Sequence, residues 1–424
     1  MLVEDQQPPV ANDLHLSVQQ QAVASSLAPR LIVSALAGSG KTTTVAALVS
    51  NAARRFSAPV LVLAFTNAAV STISARLAAA GLPDGAYEVL TVDALVYRVL
   101  CRALGVSSLN VDEDAVRACA RWSLEKLSLP AESGFVSAVV DNAALWLNGS
   151  SSRSPLPRGL SSSSLLRVLP VFSARMVSQR VFSWELLRSF AAKNLPAHSP
   201  YSAVVVDEAQ DLSPLHWSFV SGLSASCAQT VLVGDAYQSI FTYSGVDAAL
   251  LPSLAARPDW SVLPLSETYR CPAAVAAAVR SLSSLSSLSG VAAYETHSSV
   301  SGAVNVITDV GDVAQQAAWL RANADFSAGV PVVLARTNET LRRLSSALGA
   351  AADNFRFSTV HSFKGDEAGT VYVVNIGAAS GCLGSSLYQP EDDDRLLYVA
   401  LTRAQQSVFL LCVRNLPNRW RCLQ

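Results

Sequence analysis

The stretch that decides the fold is Leu31-Ile32-Val33-Ser34-Ala35-Leu36-Ala37-Gly38-Ser39-Gly40-Lys41-Thr42. Its apolar beginning, residues 31–33, predicts a buried β-strand, and residues 42–53 predict a helix. The two glycines between them allow backbone N–H groups to approach phosphate oxygens, and the N-terminus of the helix favours the same anion. The stretch therefore predicts a P-loop, although Ala35 stands where the first glycine of that pattern is expected.

A triphosphate bound on this loop would find its other partners in the sequence. We expect Lys41 to reach the β- and γ-phosphates and Thr42 to ligate Mg²⁺. Asp207 and Glu208 follow the apolar run 204–206, where an aspartate would hold Mg²⁺ through water and a glutamate would act as general base on the attacking water. The alternatives are a chance glycine turn and a solvated acidic turn, and each is weakened because the two motifs occur together.

The composition limits the classes of protein to which the chain can belong. Its 424 residues predict two to three domains, and 50% of them are apolar. That supply of apolar residues excludes disordered and collagen-like chains. No apolar run approaches the roughly 18–20 residues of a membrane span, and the polar stretch 1–9 does not read as a signal peptide. The net charge of −1 gives no sign of a nucleic-acid partner, so such a partner would need a local groove.

Seven cysteines are scattered along the chain, and none of them forms a C-x-x-C pair. An odd number without such pairs favours buried thiols in a reducing compartment over a disulfide framework or a zinc site. We therefore expect a cytoplasmic protein, with the nucleus as the alternative for a eukaryotic or viral source.

Short apolar runs alternate with helical patterns along most of the sequence. This alternation predicts α/β units around parallel sheets. Residues 101–199 show helical periodicity and no clear strand, so we expect a helical insertion there. Besides residues 31–33, the predicted strands are residues 60–63, 204–206, 230–233, 332–334, 371–374 and 408–411.

At Asp207-Glu208-Ala209-Gln210-Asp211 the sequence resembles the UvrD/Rep/PcrA group of superfamily 1A DNA helicases. Single motifs of that group are weak signals, but here they follow in the correct order. Residues 91–94 stand where motif Ib is expected and match it poorly. The other matches are Leu16 and Gln20 to the Q motif, residues 64–69 to motif Ia, 233–241 to motif III, 268–270 to motif IV, 334–338 to motif IVa, 359–365 to motif V and 394–404 to motif VI.

The resemblance implies an α/β fold, that of a P-loop NTPase with two RecA-like parallel-sheet domains in tandem and a small helical insertion. The first RecA-like domain would occupy residues 1–100 and 201–264, the helical accessory insertion residues 101–200, and the second RecA-like domain residues 265–424. Only about 15 residues separate motif IVa from motif V, so the second accessory domain of larger relatives is expected to be absent. A C-terminal partner-binding tail is not expected either.

The resemblance also implies which residues handle ATP between the two domains. Arg270 and Arg403 would act as arginine fingers, a role that suits the permanently charged guanidinium. Tyr269 would stack on adenine, Gln20 would recognise its edge, and Glu367 would touch the ribose. The expected catalytic residues are Lys41, Asp207, Glu208, Gln238, Arg270 and Arg403; the expected ATP-binding residues are Gln20, Ala37, Gly38, Ser39, Gly40, Lys41, Thr42, Thr43, Tyr269, Arg270, Glu367 and Arg403; and Thr42 and Asp207 are the expected Mg²⁺ ligands.

Single-stranded DNA needs aromatic platforms and hydroxyl or amide contacts to its phosphates. By resemblance Tyr243 stands where related chains often have a stacking tryptophan. Several usual basic positions are replaced, Ala68 among them, which thins the positive charge along the expected DNA path. The expected DNA-binding residues are Phe65, Thr66, Asn67, Tyr243, Thr359, His361 and Lys364.

These expectations favour an ATP-dependent single-stranded DNA translocase and helicase of 3′-to-5′ polarity, the polarity resting on the resemblance alone. The expected partners are single-stranded or tailed duplex DNA and a nuclease, replication or repair protein, with no membrane. The alternative is a DNA-sensing regulatory ATPase in a nuclease complex of anti-phage defence or repair, with weak unwinding. A non-catalytic binding module is disfavoured because the residues needed for hydrolysis are present. RNA stays open as a substrate because such a groove does not distinguish the sugar.

Overall fold

The computed structural model describes residues 16–147, 155–377 and 390–424. Residues 1–9, discussed above as a non-signal segment, and Cys382 lie outside these ranges. The described chain divides into two compact units. The first unit holds the described residues up to Ile32, Thr42–Val233 and Tyr243–Leu263, and the second holds Val33–Lys41, Gly234–Thr242 and Pro264–Gln424.

The P-loop segment Val33–Lys41 and the segment Gly234–Thr242 group with the second unit by their contacts. The boundaries expected from the sequence place both segments in the first RecA-like domain. Both segments make hydrogen bonds to other residues of the second unit, such as Ala37 with Tyr398 and the Gln238 carbonyl with Lys364.

The first unit contains a six-stranded sheet of order β3-β2-β4-β5-β1-β6. The pairs β2–β3, β2–β4 and β4–β5 are parallel. Strands β2, β4 and β5 are buried along their whole length, as expected of strands covered on both faces. The elements are α1 Val18–Ala24, β1 Arg30–Ala35, α2 Lys41–Arg55, β2 Val60–Ala64, α3 Asn67–Ala79, β3 Tyr87–Thr91, α4 Val92–Leu104, α5 Glu113–Lys126, α6 Ser133–Leu147, α7 Ser162–Gln179, α8 Trp184–Lys193, β4 Ala203–Val206, α9 Pro214–Ser224, β5 Gln229–Gly234, α10 Leu250–Ala255 and β6 Ser261–Leu265.

Helices α5 to α8 form the predicted helical insertion. Within the described residues its extended structure is one isolated parallel bridge between Asn110 and Val181. Side chains of these helices, such as Leu124, Phe172 and Leu187, are buried in the same apolar cluster as residues of the sheet. The expected boundary near residue 100 falls inside α4, which continues to Leu104.

The second unit contains a five-stranded sheet of order β11-β10-β12-β13-β9, in which every neighbouring pair is parallel. A short parallel pair, β7 with β8, lies apart from it. Between β10 and β11 the chain forms α13 and a 3₁₀ segment, Gly349–Asn354, in agreement with the expected lack of an accessory domain there. The elements are β7 Glu267–Thr268, α11 Ala273–Ser281, β8 Glu295–Thr296, β9 Ala303–Ile307, α12 Val313–Asn323, β10 Val332–Ala335, α13 Asn338–Leu348, β11 Arg356–Thr359, β12 Ala368–Ile376, α14 Pro390–Leu401 and β13 Ala404–Cys412.

The predicted α/β class with parallel sheets and a helical insertion is confirmed. All seven strands predicted from apolar runs exist, and each lies in the interior of its sheet. In the two large sheets, the strands that the sequence did not reveal are the edge strands, β3 and β6 in one sheet and β11 and β9 in the other; the short pair β7 and β8 was not predicted either. No helix in the described ranges has the length and apolar character needed to cross a membrane.

Candidate functional site

The P-loop has a left-handed backbone at two glycines, which explains why glycine is required there. Gly38 has φ 73° and Gly40 has φ 76°, values that other residues rarely adopt. A Cβ atom on Gly38 would also collide with the Thr268 hydroxyl. The backbone N–H of Tyr269 donates to the Gly38 carbonyl at 2.9 Å. The segment carrying Tyr269 and Arg270 therefore lies directly against the loop.

Lys41 is the first residue of α2, and Thr42 and Thr43 follow it in the first turn. Backbone N–H groups at a helix N-terminus lack partners within the helix and attract an anion. Arg76 donates to the Thr43 hydroxyl, and Ser39 is buried. The loop and the start of α2 therefore bring the Lys41 ammonium, threonine hydroxyls and the N-terminus of a helix together in one short stretch. These are the groups that a phosphate site requires.

Asp207 and Glu208 lie where the buried strand β4 ends, in the first unit. The Asp207 N–H donates to the Leu63 carbonyl at 2.8 Å, and the Asp207 carboxylate accepts from the Glu208 N–H at 2.9 Å. Gln210 donates its amide to the Glu208 carboxylate at 2.5 Å. The two carboxylates are thus oriented by neighbouring groups rather than left as a solvated turn.

Gln238 and Arg403 contact each other inside the second unit. Arg403 is only 2% exposed, and its Nη2 lies 3.5 Å from Gln238 Oε1. Arg403 also donates to the Val399 carbonyl at 3.1 Å. A buried guanidinium held by carbonyl oxygens keeps a defined position while retaining its charge. The structure therefore brings together the two residues that the sequence predicts at motifs III and VI.

Asp235 lies fully buried beside this pair. Its carboxylate accepts from Gln238 Nε2 at 2.8 Å and from the Tyr398 hydroxyl at 2.7 Å. Burial raises the pKa of Asp235, whereas the Lys41 charge and the hydrogen bonds act in the opposite direction. The Tyr398 hydroxyl also accepts from the Ala37 N–H at 3.0 Å. Asp235 and Tyr398 thus connect the P-loop segment to Gln238.

Arg270 and Glu367 form an ion pair through Arg270 Nε. The sequence led us to expect Glu367 at a ribose, and the structure places its carboxylate on this arginine. Tyr269 is 46% exposed and stacks on His297 with ring centroids 5.1 Å apart and planes 10° apart. Its hydroxyl donates to the Glu267 carboxylate at 3.1 Å.

Gln20 is buried at the start of α1 and takes part in a capping box. Its side-chain oxygen accepts from the Ser17 N–H at 3.0 Å, and the Ser17 hydroxyl accepts from the Gln20 N–H at 3.3 Å. This reciprocal pair fixes the first turn of the helix. The glutamine expected at the adenine edge is therefore held in one rotamer by the local sequence.

The expected DNA-binding residues of the first unit lie at the end of β2 and in the segment after β5. Phe65 packs edge-on against His216 with centroids 5.5 Å apart. Thr66 is the N-cap of α3 and accepts from the Ala69 N–H at 3.1 Å, so Asn67 begins the helix exposed. Tyr243 is 53% exposed, an accessibility that a stacking platform for bases needs.

The expected DNA-binding residues of the second unit follow β11. The Thr359 hydroxyl accepts from the Ser362 N–H at 3.1 Å and so stabilises the turn that carries His361. Lys364 donates to the backbone carbonyl of Gln238 at 2.9 Å, and its ammonium lies 5.1 Å from the centre of the Phe241 ring. Burial, together with the charges of Arg336 and Lys364, lowers the pKa of His361.

Two groups of residues in these regions escaped the sequence analysis. Tyr294 and Tyr398 bind the P-loop segment; Tyr398 stands inside the quoted motif VI stretch, but Tyr294 carries no local signal. A second group, Asp93, Arg188 and His216, joins three helices of the first unit. Arg188 donates to both Asp93 carboxylate oxygens, at 2.8 and 2.7 Å, and only the position of Asp93 in the poor motif Ib match hints at it.

Comparison with protein-family models identifies two domains in the chain. An AAA domain model matches residues 19–244, and a model of the UvrD-like helicase C-terminal domain matches residues 354–411. The first match covers more than half of the 424 residues and contains the P-loop, Asp207, Glu208 and Gln238. The second covers motif V and Arg403.

Curated relatives agree with these domains. DNA helicase IV of Escherichia coli (strain K12) is 26% identical over 243 residues, which are 52% of this chain and 35% of that protein. ATP-dependent DNA helicase UvrD2 of Mycobacterium tuberculosis (strain ATCC 25618 / H37Rv) is 28% identical over 310 residues, 62% of this chain and 42% of that protein. The matched regions thus span less than half the length of these relatives. With an AAA domain over half its length and a UvrD-like C-terminal domain, the chain belongs to the UvrD/Rep-like helicases of superfamily 1.

Proposed function

We propose that this chain is an ATP-dependent DNA helicase that moves along single-stranded DNA in the 3′-to-5′ direction. The observation that carries the proposal is the position of Gln238, whose side chain lies beside Arg403 and whose backbone carbonyl binds Lys364. Arg403 belongs to the expected hydrolysis machinery and Lys364 to the expected DNA contacts. One residue therefore touches both sets, as coupling of hydrolysis to movement on DNA requires.

The residues of the chain have separate tasks in hydrolysis. Lys41 binds the β- and γ-phosphates, and Glu208 takes the proton of the attacking water. Arg270 and Arg403 stabilise the negative charge that develops on the transferred phosphoryl group. Thr42 and Asp207 offer hard oxygen donors, the type that Mg²⁺ prefers, and Mg²⁺ bound there would neutralise phosphate charge. Tyr269 offers an exposed ring on which adenine can stack.

On the DNA side, Phe65 and Tyr243 are proposed as stacking platforms, and Thr66, Asn67, Thr359, His361 and Lys364 as contacts to phosphates. His361 is neutral near pH 7 because its pKa is lowered, so it would bring no positive charge to a phosphate. Stacking with few charged contacts allows binding that tolerates any base sequence.

Strand displacement on duplexes with a 3′ or a 5′ single-stranded tail tests the proposal. We expect unwinding of the 3′-tailed duplex in the presence of ATP and Mg²⁺, and a severalfold rise of ATP turnover when single-stranded DNA is added. Lys41→Ala should abolish both, because the phosphate contact is lost, while Lys126→Ala on the insertion serves as the matched control and should leave them unchanged. ATP turnover that is indifferent to DNA and to RNA would contradict the proposal, and unwinding of only the 5′-tailed duplex would overturn its polarity.

The alternative, a DNA-sensing regulatory ATPase within a nuclease complex, is not favoured by the comparisons, since the relatives reported above are named as DNA helicases. The same assay separates the two, because ATP turnover stimulated by DNA without displacement of either duplex would favour the regulatory ATPase.

A further inference from the structure

Two buried tyrosines bind the backbone of one residue in the P-loop segment, Ala37, through the two peptide groups on either side of it. The Ala37 N–H donates to the Tyr398 hydroxyl at 3.0 Å, and the Tyr294 hydroxyl donates to the Ala37 carbonyl at 2.7 Å. Ala37, Tyr294 and Tyr398 are all fully buried within the second unit. Because buried polar groups without partners destabilise a structure, these two hydrogen bonds fix the backbone of Ala37, the residue before Gly38.

The hydroxyls of the two tyrosines differ in the second group that each of them contacts besides Ala37. The Tyr398 hydroxyl donates to the Asp235 carboxylate at 2.7 Å, and the same carboxylate accepts from the Gln238 amide at 2.8 Å. A continuous series of hydrogen bonds therefore runs from Ala37 to Gln238, which neighbours Arg403. The Tyr294 hydroxyl instead lies 3.1 Å from the Cys271 sulfur.

The protonation of the tyrosines supports this arrangement. Burial raises the pKa of Tyr294 and of Tyr398 well above the ordinary value for tyrosine. Both hydroxyls therefore keep their proton across the range in which an ATPase works. The Tyr398 hydroxyl donates its single proton to Asp235, and its oxygen accepts from the Ala37 N–H. These two hydrogen bonds together fix the orientation of the hydroxyl group.

We propose that Tyr294 and Tyr398 are positioning residues for nucleotide hydrolysis: both fix the P-loop through Ala37, and Tyr398 alone also sets the Gln238–Arg403 pair through Asp235. The inference rests on the proposed function, in which the P-loop binds ATP and the pair acts on the γ-phosphate. It assigns the two tyrosines different kinetic effects. Loss of the Tyr294 hydroxyl should weaken nucleotide binding, whereas loss of the Tyr398 hydroxyl should weaken binding and also slow the chemical step.

The experiment compares Tyr294→Phe, Tyr398→Phe and the control Tyr372→Phe in the full chain. Tyr372 is also fully buried in the second unit, and its hydroxyl accepts from the Asp325 N–H at 2.7 Å. Its removal thus deletes a part-buried hydrogen bond of similar length among side chains that pack away from the P-loop segment. All three variants should lower the melting temperature, because each loses at least one hydrogen bond.

Titration with fluorescent mant-ADP and steady-state ATP turnover with single-stranded DNA supply the two readouts. We expect Tyr294→Phe and Tyr398→Phe to weaken mant-ADP binding by about 5- to 50-fold, the range for a lost buried hydrogen bond, and Tyr372→Phe by less than about 2-fold. Only Tyr398→Phe should also lower kcat, by at least about 10-fold. If Tyr398→Phe fails to melt cooperatively, Asp235→Asn tests the same link and should lower kcat with little change in mant-ADP affinity.

Equal effects of all three tyrosine variants on affinity and kcat would overturn the inference, and so would an unchanged kcat in both Tyr398→Phe and Asp235→Asn. The outcomes for the helicase proposal are separate. A wild-type chain that binds mant-ADP but shows no DNA-dependent turnover would refute the helicase proposal, and the affinities of the three variants would still decide whether the tyrosines position the loop. A wild-type chain that binds no nucleotide would refute both.

Discussion

Glu208 adopts a left-handed backbone conformation, with φ 52° and ψ 40°. Such values are uncommon for a residue other than glycine and cluster at functional sites. The Asp207 carboxylate accepts a hydrogen bond from the Glu208 N–H at 2.9 Å, and the Gln210 amide donates to the Glu208 carboxylate at 2.5 Å. The surrounding groups therefore keep an unfavourable backbone in place, and with it the orientation of the proposed general base.

The role of Glu208 can be tested with Glu208→Gln, which keeps the size of the side chain and its contact with Gln210. Because an amide cannot accept the proton of water, we expect ATP turnover to fall by about 100-fold or more, with mant-ADP affinity within about 2-fold of wild type. The measurement is steady-state phosphate release beside a binding titration. Glu125→Gln, on the exposed side of α5, is the control and should change neither. Turnover above a tenth of wild type in Glu208→Gln would assign the base to another residue.

At the scale of the elements, three helices of the first unit meet at Asp93. Asp93 lies in α4, Arg188 in α8 and His216 in α9. Burial acts to raise the pKa of Asp93, but the nearby His216 and the hydrogen bonds and charge of Arg188 outweigh it and hold the pKa well below its ordinary value. Since His216 Nδ1 accepts from the Ser213 N–H at 3.1 Å and burial lowers its pKa, the histidine is neutral, and its Nε2 faces Asp93 at 3.5 Å.

This arrangement predicts a pH-dependent contribution to stability. Asp93→Asn should lower the free energy of unfolding at pH 7 by on the order of 1 kcal/mol, because a partly exposed ion pair and its hydrogen bonds are lost. The folded pKa of Asp93 lies below the unfolded value of about 3.9. The stabilisation is therefore complete above that value and disappears as the pH falls towards the folded pKa.

Urea unfolding followed by tryptophan fluorescence at pH 7 and at pH 3 measures this effect. The difference between wild type and Asp93→Asn should be clear at pH 7 and smaller at pH 3. Glu339→Gln removes the exposed pair of Glu339 with Arg342 and should change the stability by less than about 0.5 kcal/mol. A difference between wild type and Asp93→Asn that grows on acidification would contradict the proposed pair.

At the scale of the whole molecule, 31 basic and 32 acidic residues leave a net charge of −1. Many exposed basic residues are already paired, such as Arg98 with Glu88 and Arg356 with Asp366. Affinity for DNA that depends on phosphate neutralisation falls steeply with salt, in proportion to the number of basic contacts. A chain of this charge is expected to rely more on stacking and on neutral hydrogen bonds.

We therefore predict a shallow salt dependence of binding to single-stranded DNA. The slope of log K against log salt concentration should be smaller in magnitude than about 3, which corresponds to about four phosphates for a single strand. Fluorescence anisotropy with a labelled oligonucleotide measures this slope at salt concentrations between about 50 and 300 mM. Tyr243→Ala should weaken binding by about 1–3 kcal/mol without changing the slope. A slope steeper than about 6 would reveal a basic groove that the composition conceals.

The sequence by itself determined the interior strands, the P-loop and the order of the motifs, because each of these is a local pattern. Strands such as β2 and β4 are covered on both faces and so appear as continuous apolar runs. The edge strands β3 and β9 are only half-buried along their whole length. Their mixed sequences give no continuous apolar run, so only pairing with a neighbour reveals them.

Only the tertiary structure decided the contacts that orient the site residues. Tyr398 lies 361 positions after Ala37 and Tyr294 lies 257 positions after it, so no local pattern predicts these hydrogen bonds. The same holds for Arg270 with Glu367 and for Arg188 with Asp93. Motifs reveal which residues carry the chemistry because that chemistry restricts residue type at fixed spacing. Which buried groups hold those residues depends on where distant segments meet, and that is settled by packing and by the need to satisfy every buried polar atom.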